Sequence, residues 1–182
     1  MAHFSRIIAR HLNELGIYDF NDELVERIFQ FAPLHDVGKI GIPDRVLMKA
    51  GKLNPGEQAL MRTHTTLGRQ LVDEITKSFG LESMEQRAIL QSVTELHHEA
   101  MDGSGYPKHL RGDEIPIAAR IIAVADVFDA LTSERPYKQA WSNDEAFAYL
   151  KQQGESTLDG ECINAMILHR EAVEHIQTIF RN

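Results

Sequence analysis

The chain has 182 residues, with 19 Lys and Arg against 27 Asp and Glu, for a formal net charge of −8. Apolar residues make up 43% and charged residues 25%, the balance of a globular protein with one core, which excludes disorder as the main state. The acidic excess excludes generic binding to a DNA or RNA backbone, which needs a basic footprint.

Apolar residues recur at helical spacing over 4–15, 22–35, 56–78, 84–98, 116–132, 143–152 and 160–180. After Met1 come His3, Ser5 and Arg6, without the unbroken apolar run of a signal peptide. Asn54-Pro55-Gly56-Glu57 opens the third helix with an N-cap, a proline at the first helical position and a glutamate at the third. Ser83-Met84-Glu85-Gln86 and Ser142-Asn143-Asp144-Glu145 are capping boxes for later helices. The most apolar stretch, 115–131, is interrupted by Pro116, Arg120, Asp126 and Asp129, so no membrane insertion is expected from this segment. Glycine and proline mark 38–52 and 101–116 as irregular. The last helix holds the single cysteine, Cys162, which cannot form an intrachain disulfide and fits a reducing cytoplasm. With no clear strand pattern, the expected fold is an all-α, compact multi-helix bundle forming one domain over 1–182.

Nine histidines is a high count for this length, and their phase along the helices is informative. His35 continues the stripe of Leu24, Ile28 and Phe31, and His64 shares a face with Leu60, Leu67, Leu71 and Ile75. His97 follows Ile89, Val93 and Leu96, and Asp126 lies with Ile122 and Ala125. His3 sits beside Ile7 at the edge of the first stripe. A single inward histidine is usually a neutral core residue bonded to a carbonyl. His35-Asp36, His64, His97-His98 and Asp126 together, from different helices, point to convergence on metal, since a buried carboxylate without a partner is costly. Histidine plus carboxylate without cysteine favours iron, manganese or another first-row ion, and so many ligands imply two adjacent ions. His11, His109, His169 and His175 lie in polar or terminal stretches and read as solvated surface.

His35 to Lys39 reads HDVGK, 97–107 reads HHEAMDGSGYP, and 120–138 reads RIIAVADVFDALTSERPYK. In that order these blocks resemble the HD-GYP subgroup of the HD metal-dependent phosphohydrolases, over residues 3 to about 158. The resemblance implies hydrolysis of a bacterial cyclic dinucleotide, cyclic di-GMP to pGpG, with a second cut to GMP left open by the sequence. Cyclic GMP-AMP or another nucleotide is an alternative substrate, and a non-catalytic cyclic di-GMP-binding signalling module is an alternative role. The implied metal ligands are His3, His35, Asp36, His64, His97, His98 and Asp126, with Asp36 bridging two divalent ions, iron or manganese. Lys39 is implied beside the scissile phosphate, and Arg135 and Lys138 at the substrate's phosphates. Tyr106 lies in a loop that the resemblance implies touches substrate or a GGDEF-type cyclase domain, with a purely structural turn as the alternative, and a homodimer is a further expectation.

Two positions depart from the pattern: Ala100 stands where the family usually has Arg, and Leu158-Asp159-Gly160 replaces Phe-Asp-Pro. Members with three ions carry a Glu one turn before the first His, a position that would precede Met1, so two ions are expected. The start also reads as that of a catalytic domain excised from a longer protein with an N-terminal sensor or receiver.

Overall fold

The computed structural model describes residues 1–16, 18, 21–79, 84–134, 139–154 and 156–180, and among these it is helical, with no strand. Helix α1 (Ala2–Leu15) buries Phe4, Ile8 and Leu12, one residue per turn, and ends at Gly16, whose φ of 63° suits a residue without a Cβ. Helix α2 (Asp22–Phe31) starts where the Asn21 side chain accepts the Leu24 N–H. It stops short of the expected 22–35. Pro33 cannot donate to the helical ladder, and the chain tightens into 3-10 turns at Ala32–Leu34 and Val37–Gly41.

After the short α3 (Asp44–Leu47), the expected helix 56–78 is two: α4 (Pro55–Arg62), with its capping box in place, and α5 (His64–Phe79). The break at Thr63 resets the phase. The inward face of α5 is therefore His64, Gly68, Val72 and Thr76, while Ile75, expected inside, is 42% exposed. Helix α6 (Met84–Leu96) follows; the capping box read at Ser83 lies outside the described residues.

Helix α7 (Ile117–Thr132) is buried on nearly every side, and its Phe128 packs edge-on to Phe4 of α1 at 5.3 Å and stacks on Phe147 at 5.0 Å. Replacing a ring in such a core with alanine costs about 3–5 kcal/mol. The Ser142 capping box opens α8 (Asn143–Gln153). The expected helix 160–180 breaks at His169 into α9 (Gly160–Leu168) and α10 (Arg170–Phe180). Asp159 caps α9 by accepting the Glu161 and Cys162 N–H groups, and its other oxygen pairs with buried Arg120 of α7 at 2.9 Å. The altered Leu158-Asp159-Gly160 segment thus still starts a helix and ties it to the central one. No helix among the described residues is long and apolar enough to cross a membrane.

Candidate metal centre

Pro33 places His35 and Asp36 at the turn after α2, the break at Thr63 places His64 at the start of α5, and α6 delivers His97 and His98 at its end. Three of these imidazoles are aimed by their own backbone. Nδ1 lies 2.9 Å from the Ala32 carbonyl in His35, 2.8 Å from that of Met61 in His64 and 2.9 Å from that of Val93 in His97. A carbonyl only accepts, so Nδ1 carries the proton and Nε2 points into the centre as the potential ligand atom.

The donors converge on Asp36. Its Oδ2 is 3.3 Å from His35 Nε2, and that nitrogen is 3.6 Å from Asp126 Oδ1. Its Oδ1 faces His64 Nε2 at 3.4 Å and His97 Nε2 at 4.0 Å. Asp36, His64, His97 and His98 each offer a ligand atom within 4.8 Å of the others. Asp36 Oδ1 is buried and accepts no hydrogen bond. With Nδ1 of His64 and His97 committed to carbonyls, the neutral rings turn bare Nε2 lone pairs toward that oxygen and, at 3.5 Å, toward each other. Converging lone pairs without a proton between them repel, and a cation at their focus removes the conflict. The residues fit divalent metal.

Burial opposes the charge on His35, yet its bonds to Asp126 and Asp36 raise it to about 9. Burial likewise opposes ionised Asp36, but bonds from His35 and Lys39 hold it far below the usual carboxylate range, and His35 lowers Asp126 in the same way. Burial keeps His64 and His97 neutral and, with His64 nearby, lowers His98 to about 4. Without metal, therefore, His35 holds a proton that carboxylates stabilise, while the other three imidazoles present free lone pairs.

Lys39 Nζ meets Asp36 Oδ2 at 2.5 Å from the Val37–Gly41 turn. That turn lies directly on α5: a Cβ on Gly38 would come 1.9 Å from the His64 carbonyl oxygen and 2.3 Å from the Gly68 nitrogen. Two glycines facing each other bring Asp36 and Lys39 up to His64. Gly68 inside a helix, a position that costs stability relative to alanine, was the available sequence signal for this close approach.

The structure does not bring His3 to the centre. Its ring stacks on Phe180 at 4.8 Å and packs against Phe29 at 5.1 Å, and the charges that reach it are those of Arg6 and the N-terminus. At the stripe edge, the His3 ring packs toward α2 and α10. Arg135 and Lys138 lie outside the described residues. Tyr106 stacks on His98, with ring centroids 4.8 Å apart. His11 and His169, read singly as surface, bond to each other at 3.0 Å.

Two residues that the sequence reading passed over hold the same loop. Glu99 accepts the Lys108 and Leu110 N–H groups at 2.6 and 3.0 Å, and the Arg62 guanidinium lies 4.8 Å over the Tyr106 ring. Glu99 directly follows the two histidines, which was its only signal. A cleft of about 190 Å³ opens beside His97, His98 and Asp126. A larger one, about 880 Å³ between Thr132 and Asn143, has no such donor set along its described lining, so the chemistry and not the volume locates the site.

An all-helical scaffold that converges histidines and aspartates from separate helices defines a metal-ligating His–Asp domain. The chain belongs to the HD domain family, whose profile matches residues 6–162. It is 43% identical over 176 residues to the cyclic di-GMP phosphodiesterase response regulator RpfG of Xanthomonas campestris pv. campestris, covering 97% of this chain and 43% of that protein. A cyclic di-GMP phosphodiesterase of Thermotoga maritima is 42% identical over 162 residues, 87% of this chain and 40% of its own. The 3'3'-cGAMP-specific phosphodiesterase 2 of Vibrio cholerae is 35% identical over 171 residues, 92% of this chain and 31% of its own. The chain thus spans less than half the length of these relatives.

Proposed function

We propose that this domain is a metal-dependent phosphodiesterase of cyclic dinucleotides, with cyclic di-GMP as first substrate. The observation that carries the reading is Asp36, which faces His35 with one oxygen and His64 and His97 with the other, while the same His35 nitrogen also faces Asp126. A carboxylate placed between two donor sets suits two divalent ions: His35 and Asp126 on one side, His64, His97 and His98 on the other. Bound there, the ions would lower the pKa of water enough to supply hydroxide as the nucleophile, and would offset the charge of the phosphate oxygens.

The chain's own residues do the rest. The three carbonyl-bonded imidazoles keep Nε2 fixed, so the donors need little reorganisation on binding. In this reading Lys39, whose Nζ donates to Asp36, stabilises negative charge developing on the substrate. Arg135 and Lys138 extend that positive field in the reading from resemblance. Relatives named for 3'3'-cGAMP support this dinucleotide as a second substrate.

The test replaces His35 and Asp36 with alanine together and follows both dinucleotides by product chromatography, with Mn(II) or Fe(II) supplied anaerobically. The wild type is expected to produce pGpG, and the double variant to lose turnover by at least about 10³-fold. Turnover retained by the variant contradicts the reading.

A further inference from the structure

His35, His64 and His97 are each oriented by a backbone carbonyl, but among the described residues no hydrogen bond reaches the His98 ring. The His97 and His64 rings meet it at 4.2 and 5.2 Å, tilted or edge-on, whereas Tyr106 stacks on it at 4.8 Å with planes only 26° apart, and Arg62 covers the Tyr106 ring at 4.8 Å. Arg62, Tyr106 and His98 thus form a continuous stack that ends on a ring of the metal centre.

We propose that the loop 102–107 is a positioning device for His98, in which the Tyr106 face, held by Arg62, supplies the orientation that carbonyls give the other imidazoles. This rests on the metal-site reading above. The loop is fastened to the residues it serves. The Tyr106 N–H donates to the His98 carbonyl at 3.1 Å, and both Glu99 oxygens accept loop N–H groups at Lys108 and Leu110. Gly105 lies so close to the Glu99–Ala100 backbone that a Cβ would fall 2.2 Å from the Ala100 nitrogen. A ring this restrained limits rotation of its stacking partner. Stacking fixes the plane of an imidazole without consuming either nitrogen, which leaves the metal-facing nitrogen free. Arg62 adds the attraction of a cation for an aromatic face. Tyr106 and Arg62 are therefore positioning residues, acting through His98.

The experiment is calorimetric titration of Mn(II) into chelator-treated protein, with circular dichroism to verify folding. Tyr106→Leu removes the aromatic face and is expected to weaken at least one Mn(II) site by about 10- to 100-fold. Tyr106→Phe keeps the face and binds Mn(II) as the wild type does. Arg62→Ala, at an exposed position, weakens binding by roughly two- to fivefold. Should Tyr106 serve only substrate, Tyr106→Leu would bind Mn(II) normally and show only a raised KM, which overturns the inference. Loss of Mn(II) affinity in Tyr106→Phe equal to that in Tyr106→Leu also overturns it, by assigning the effect to the hydroxyl. If Tyr106→Leu does not fold, unchanged binding in Arg62→Ala is the contrary result. A wild type that binds no Mn(II) defeats the metal-site reading itself, a separate outcome.

Discussion

Histidines meet in two places in this molecule, and the two differ in kind. At the centre, imidazoles from the turn after α2, the start of α5 and the end of α6 surround Asp36, three of them with Nδ1 tied to a carbonyl. At the far side, His169 Nε2 and His11 Nδ1 lie 3.0 Å apart, joining α1 to the α9–α10 junction. The far pair satisfies itself with one shared proton, and among the described residues no third histidine, cysteine or carboxylate joins it. The central group cannot do so, because its protons are committed elsewhere and its lone pairs converge. Proximity of imidazoles does not make a metal site; carboxylates between them and a fixed tautomer do.

The contrast can be broken hardest at the glycine contact beneath the centre. Gly38→Ala drives a Cβ into the His64 carbonyl and the Gly68 backbone. It is expected to destabilise the fold by about 2–3 kcal/mol in urea unfolding and to lower metal affinity as Asp36 moves from His64. A variant with unchanged stability would show that the close approach is not needed.

The centre's protonation gives a second contrast. His98 is lowered to about 4 from its ordinary 6.5, and His64 and His97 are also lowered by burial. Below 6.5 the unfolded chain therefore binds more protons, and stability falls as pH drops toward about 4. Asp36 and Asp126, held low once burial is outweighed by their bonds to His35, lose their contribution at still lower pH. His35 has the opposite sign: raised to about 9, it contributes fully below 6.5 and loses that contribution as pH rises through about 9. Chelator-treated protein should therefore show a Tm maximum near pH 6.5 with losses on both sides. A Tm that keeps rising from pH 6.5 to 9 would contradict the His35 assignment.

The smallest effect belongs to the far pair. His11→Ala should cost about 1 kcal/mol, the net worth of one hydrogen bond, and leave the number of bound metals unchanged. A lost metal would erase the distinction between the two regions.

Much of this was legible in the sequence. His35, His64, His97 and Asp126 announced themselves as polar groups on apolar faces, and Asp36 and His98 by adjacency to them. Other features were hidden for physical reasons. The stripe edge occupied by His3 looks the same whether the ring meets a metal or, as here, Phe29 and Phe180. Thr63 interrupts a pattern that reads as one helix, so the inner face of α5 is shifted by a residue from the one projected. His11 and His169 are 158 residues apart, a separation across which helical phase says nothing. The clamp of Arg62 on Tyr106 joins two segments whose chemistry gives no hint of the contact.

The central claim is that Asp36 sits between two donor sets and so organises two ions. Metal analysis of anaerobically purified wild type beside the His35→Ala/Asp36→Ala variant tests it most directly. The account predicts two first-row ions per wild-type chain and their loss in the variant together with cyclic di-GMP hydrolysis. One ion or none in an active wild type, or two ions retained by the variant, would contradict it.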